Sequence, residues 1–153
     1  MRAALLLLLL STGAAHAQCG LNPILRWTLV SATPVAAVLP PVTEAQLLAG
    51  WSGVSYYDVT VQPIANNRLF PWFVCLQANA AQFPGPPGAS KPATDLQWSL
   101  DGATWADVPM AMTRISGSYT GTRTLRLWVR ARLRYDDRPG TYGPLPLTIS
   151  GSY

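Results

Sequence analysis

"TLRLWVRARLRYDDRPGTY", residues 124–142, alternates apolar and mostly cationic side chains along most of its length. In an extended chain Leu125, Leu127, Val129, Ala131, Leu133 and Tyr135 point one way, and Arg126, Trp128, Arg130, Arg132 and Arg134 point the other. Period two sustained over eleven residues spans about 36 Å and dictates a strand with one face in a core and one face outward. The segment Asp136–Gly140 then turns the chain, and "PLPLTISGSY" (144–153) finishes it with Leu145, Leu147, Ile149, Gly151 and Tyr153 on one face. Pro146 cannot donate to a ladder, so this last strand belongs at a sheet edge or carries a bulge.

Upstream, the same reading gives strands at "ILRWTLVSA" (24–32), "VSYYDVTVQP" (54–63) and "RLFPWFVCLQA" (68–78), with Asn66-Asn67 as a turn between the last two. The prolines 34, 40 and 41 make the segment after the first strand extended or edge-like. Residues 43–50, "TEAQLLAG", have the spacing of one helical turn: Thr43 and Gln46 form a capping box and Gly50 stops the helix. "FPGPPGASKPA" (83–93) reads as a loop, because its four prolines and two glycines cannot maintain a ladder. "LQWSLDGATWADVP" (96–109) reads as a hairpin closed by a two-residue Asp101-Gly102 turn, which sets Trp98 opposite Trp105 on one face. That pair is a core staple or, alternatively, a sugar-stacking platform. The stretch "SLDGATW" resembles the Asp-box of sialidase-like propellers, one residue short and in a single copy, where a propeller needs several blades. No glycosidase activity follows from it.

These elements predict an all-β chain: an immunoglobulin-like antiparallel β-sandwich of about seven or eight strands with one short helical turn, forming a single domain over residues 18–153. Composition agrees, with 49% hydrophobic residues, 12% charged, 12 glycines and 14 prolines suiting a turn-rich domain. Residues 1–17 read as a secretory signal peptide: Met1-Arg2, an apolar block from Ala3 to Leu10, and the small-residue triplet Ala15-His16-Ala17. The expected location is therefore the periplasm, the cell surface or the extracellular space. In that compartment Cys19 and Cys75 read as one disulfide, closing a loop of about 56 residues worth on the order of 4 kcal/mol in the chain-entropy model.

Cleavage after Ala17 removes His16, the sole histidine, leaving no imidazole for base catalysis or zinc. With no free thiol, few scattered carboxylates and no phosphate-binding glycine motif, the expectation is a non-enzyme without metal or cofactor. Asp136-Asp137 falls short of a calcium site and neutralises nearby Arg134 and Arg138. The formal charge of +4 is concentrated: Arg114, Arg123, Arg126, Arg130, Arg132, Arg134 and Arg138 lie close together in sequence. Only Asp58, Asp95, Asp101 and Asp107 lie on or near other expected strands, too few to neutralise the stripe.

An exported β-domain with an early cysteine that ends in "RPGTYGPLPLTISGSY" resembles bacterial fimbrial subunits of the chaperone-usher kind and spore coat U-type domains. Gly140 lies fourteenth from the end, as the pilin signature implies, while the aromatic Tyr153 is last rather than penultimate. The resemblance covers about 20 residues and implies a structural or assembly module of the envelope or surface, with other subunits as partners. The alternative is a surface binding module in which Arg126, Trp128, Arg130, Arg132 and Arg134 contact an anionic polymer or an acidic partner.

Overall fold

In the computed structural model the alternating stretch from Thr124 to Ala131 lies in the central strand of a five-stranded antiparallel sheet. The structure describes Cys19, residues 28–63 and residues 71–152. The strands are β1 (Thr28–Thr33), β2 (Ser55–Pro63), β3 (Phe73–Ala78), β4 (Gln82–Pro84), β5 (Ser90–Pro92), β6 (Leu96–Ser99), β7 (Ala106–Asp107), β8 (Thr113–Arg114), β9 (Arg123–Ala131) and β10 (Leu147–Ser152). One sheet has the order β1-β2-β9-β6-β7, a second β10-β3-β8, and β4 pairs with β5. Every pairing is antiparallel.

Both larger sheets feed one hydrophobic cluster. Val59, Val61, Leu96, Leu127, Val129 and Ala131 come from the five-stranded sheet, and Val74 and Leu76 from the three-stranded one. Period two places these side chains on a shared inner face, and each fully buried aliphatic contributes about 1.5–3 kcal/mol. Trp72 is completely buried, its indole donating to Gly121 O at 2.7 Å and its ring 5.2 Å from Tyr119.

The helical turn is α1 (Glu44–Ala49), with both capping-box hydrogen bonds between Thr43 and Gln46 and with Gly50 at φ 77. Glycine is required there because a Cβ strains the left-handed conformation. Cys19 and Cys75 are joined, with Cα atoms 5.8 Å apart, and Cys75 is wholly buried on β3. The proposed signal peptide, the Asn66-Asn67 turn, Tyr153 and the start of the strand at 24–32 lie outside the described residues.

Four expectations change. The central strand ends at Ala131; Leu133 is buried beyond it, but Tyr135 is 86% exposed on the following turn, because Asp137 accepts from Arg134 N at 2.7 Å and bends the chain away. Residues 83–93 carry a ladder after all. The prolines 84 and 92 stand at strand ends and 86 and 87 in the turn, so only Phe83 opposite Lys91 needs to be interior. The hairpin at 96–109 is wider than a two-residue turn. Asp101 accepts from the backbone N–H of Ala103 and Thr104, and Ser99 Oγ from those of Asp101 and Gly102, so the loop runs from Leu100 to Trp105. The register is then Trp98 with Ala106 and Gln97 with Asp107, not Trp98 with Trp105.

Candidate functional site

Opposite the core, β9 displays Arg126, Trp128 and Arg130 between two strands whose outward residues were built to meet them. Register sets Asp58 and Tyr56 of β2 against Arg126 and Trp128, and Gln97 and Ser99 of β6 against Arg130 and Trp128. Arg126 donates twice to Asp58, Nε to Oδ1 at 2.8 Å and Nη2 to Oδ2 at 3.1 Å, and its guanidinium lies 4.3 Å from the Tyr56 ring centroid. That bidentate hydrogen bonding, with the Arg126 charge, holds the Asp58 carboxyl below its ordinary value.

Arg130 forms the centre of the face. Its Nε and Nη2 donate to Gln97 Oε1 at 3.2 and 3.0 Å, and Gln97 Nε2 donates on to Asp107 Oδ1 at 2.9 Å. The guanidinium carbon sits 3.9 Å from the Trp51 centroid and 4.1 Å from that of Trp105. Two indoles therefore flank one cation, a contact worth about 0.5–1 kcal/mol per ring at an exposed site and more when desolvated. Burial, and then the charge of Arg132, lower the Arg130 pKa from its ordinary value. Arg132, just past the strand, bridges to Trp51 and reaches Asp107 Oδ1 at 3.4 Å.

Trp128 is half-buried and is covered by the hairpin loop. A Cβ on Gly102 would lie 3.7 Å from Trp128 Cε2, so the loop backbone rests on the indole. Arg134 does not belong to this face: beyond the end of β9 its Nη2 lies 3.6 Å from Asp95 Oδ1. Acids on neighbouring strands meet most of the stripe but not all of it. Asp58, Asp107 and Asp95 each take one arginine of the stripe, while Asp101 caps its own loop. Among the described residues Arg130 is the member of the stripe without a carboxylate in ion-pair contact, its charge held by two indoles and an amide.

A second feature lies at the other edge. β1 closes one side of the five-stranded sheet and β10 one side of the three-stranded sheet; among the described residues each pairs with one neighbour alone. Between them runs an open groove of about 440 Å³ lined by Val30, Ser31, Ala32, Val35, Tyr57, Leu147, Thr148 and Ile149. Val35 is 95% exposed at its mouth, and the Tyr57 hydroxyl, accepting from Ala37 N at 3.0 Å, closes its floor. Burial raises the pKa of that hydroxyl, keeping it neutral.

Sequence reasoning found the arginines but missed Trp51, Gln97 and Trp105 as their partners, and it missed the groove. The one available signal for the groove was Pro146, which marked β10 as an edge. Among the described residues there is no group of three or more histidine, cysteine or acidic side chains that could hold a metal. Compared with known proteins, the chain matches no family model, no curated protein sequence and no solved structure.

Proposed function

We propose that the chain is an exported, non-enzymatic assembly module of the bacterial envelope or surface, and that its groove accepts an extended strand from another subunit. The observation that carries this reading is the convergence of β1 and β10, each paired with one neighbour alone among the described residues, on one cleft of mixed polarity. An added strand there would pair along the open edge of one of these strands, β1 or β10, with alternate side chains toward Val30, Ala32, Leu147 and Ile149.

The topology supports an immunoglobulin-like sandwich as the frame. The order β1-β2-β9-β6 in one sheet, with β3 beside β10 in the other, corresponds to the order A-B-E-D and C-F of constant-type domains. In that arrangement the seventh strand runs beside β10 on its open side. Tyr142 adds to the likeness: its hydroxyl donates to Arg138 O at 2.8 Å, the local return that marks a tyrosine corner. The turn bearing it is the Pro139-Gly140-Thr141-Tyr142 sequence within the segment that resembles fimbrial and coat-protein subunits. The disulfide fits an oxidising compartment, and no helix among the described residues is long and apolar enough to cross a membrane.

Light scattering coupled to size-exclusion chromatography of the oxidised chain over a range of concentrations tests the reading. Association is expected, and it is expected to vanish when Ser31 and Val35, exposed at the groove, are both replaced by lysine. A monomer at every concentration, or association indifferent to the lysines, would sink it.

A second reading is favoured by one observation, the arginine without a carboxylate. Arg130, wedged between Trp51 and Trp105, offers a cation and two aromatic faces to an anionic polymer. Binding to heparin resin should then weaken steeply with salt and again on Arg130→Ser. Retention unchanged by the substitution would leave this face as an internally paired wall.

A further inference from the structure

At the end of the molecule near the β4–β5 hairpin, a lysine is almost completely buried beside two carboxylates. Lys91 is 2% exposed, its Nζ 2.5 Å from Asp137 Oδ2 and 3.0 Å from Asp95 Oδ2. Phe83 stands opposite Lys91 in the β4–β5 register, and Tyr142 packs edge-on to Phe83 at 6.4 Å between centroids. Both rings are about 1% exposed, and the lysine between strand and turn is as fully withdrawn from water as they are. A structural ion pair does not need this burial, since two desolvated charges recover little over an apolar pair. A reaction between amine and acid does.

We propose that Lys91 and Asp137 form an intramolecular amide, with Asp95 moving the protons. One proton passed from the Lys91 ammonium to the Asp137 carboxylate gives a neutral amine facing a neutral acid, with no charge leaving the site. The amine lone pair attacks Asp137 Cγ. The Asp95 carboxylate takes a proton from Nζ and delivers it to the departing hydroxyl; the C–O bond breaks, the C–N bond remains and one water is released. No oxidant, reductant or co-reactant enters the balance.

Three details assign these roles. Asp137 Oδ2, the oxygen facing Nζ, also accepts from Arg134 N at 2.7 Å, a fixed backbone donor that holds the carboxyl group against the amine for attack. Asp95 Oδ2 is buried and receives no directed hydrogen bond, leaving a lone pair free beside Nζ. The Arg134 guanidinium, 3.6 Å from Asp95 Oδ1, helps hold that side chain in place beside the amine. The amide would tie β5 to the turn between β9 and Tyr142, closing the end of the fold. It stands apart from the assembly reading.

Intact mass spectrometry of the full oxidised chain, followed by reduction, denaturation and peptide mapping, reads the outcome. The expected protein is lighter than its processed sequence by one water beyond the disulfide, and one branched peptide joins the segments holding Lys91 and Asp137. Asp95→Asn, which keeps the shape and removes the base, is expected to have the full mass. Asp137→Asn is expected to give the identical amide, with ammonia leaving in place of water. A folded wild-type chain of full mass, with Lys91 and Asp137 on separate peptides, would overturn the proposal. So would a branch at Asp95, or a branched Asp95→Asn protein.

Discussion

Trp98 and Trp105, on the two arms of one hairpin, lie on opposite sides of the five-stranded sheet. Trp98 pairs with Val129 and Ala106 and packs against the core, whereas Trp105 lies against the Arg130 guanidinium on the outer face. Their alanine substitutions should therefore part company. Trp98→Ala is expected to cost about 2–4 kcal/mol through lost burial and a cavity, and Trp105→Ala about 1 kcal/mol through one lost cation–π contact. Urea melts monitored by circular dichroism distinguish them; equal losses would mean the two rings share an environment.

Acid should destabilise the domain through two carboxylates. The backbone N–H groups of Thr104 and Ala103, then the Ser99 hydroxyl, hold Asp101 far below its ordinary pKa, and Arg126 holds Asp58 below its own. A depressed folded pKa contributes stability above the unfolded value, near pH 4, and loses it as pH falls through the folded values. Denaturant midpoints should hold from about pH 7 down to pH 5 and drop steadily below pH 4. Asp101→Asn, which keeps an oxygen acceptor but cannot titrate, should flatten part of that drop. An unchanged acid profile would show that the loop does not draw on the charge.

Tyr142 anchors the turn after β9 by shape as well as by its hydroxyl. Phenylalanine there removes the bond to Arg138 O and should cost about 1 kcal/mol. Gly85→Ala should be worse, because the new Cβ would come 2.6 Å from Tyr142 Cε1, closer than real contacts allow. Thermal melts rank the pair. Gly85→Ala as stable as the parent would mean that the ring is free to move.

Reduction removes a constraint whose loop length predicts a loss of about 4 kcal/mol. The oxidised chain should therefore melt well above the reduced one, and alkylation without reductant should leave both Cys19 and Cys75 unmodified. Two labelled cysteines in the folded protein would contradict the bond.

Period two, the capping box at Thr43 and Gln46, the helix-ending Gly50 and the edge-marking Pro146 were legible in the chain because each acts within a few residues. They determined an antiparallel β-rich protein with one helical turn, and which side of β9 faces outward. They did not determine what meets that side. Asp58 reaches Arg126, Trp51 and Trp105 flank Arg130, and Lys91 finds Asp137 only because strands distant in sequence take a particular register. The hairpin shows the limit most directly: Asp101 and Ser99 widened its loop with side-chain hydrogen bonds, shifting the register and sending Trp98 and Trp105 to different faces. Local sequence sets the period of a strand, while its partners, and hence the groove between β1 and β10, follow from how two whole sheets close over one core.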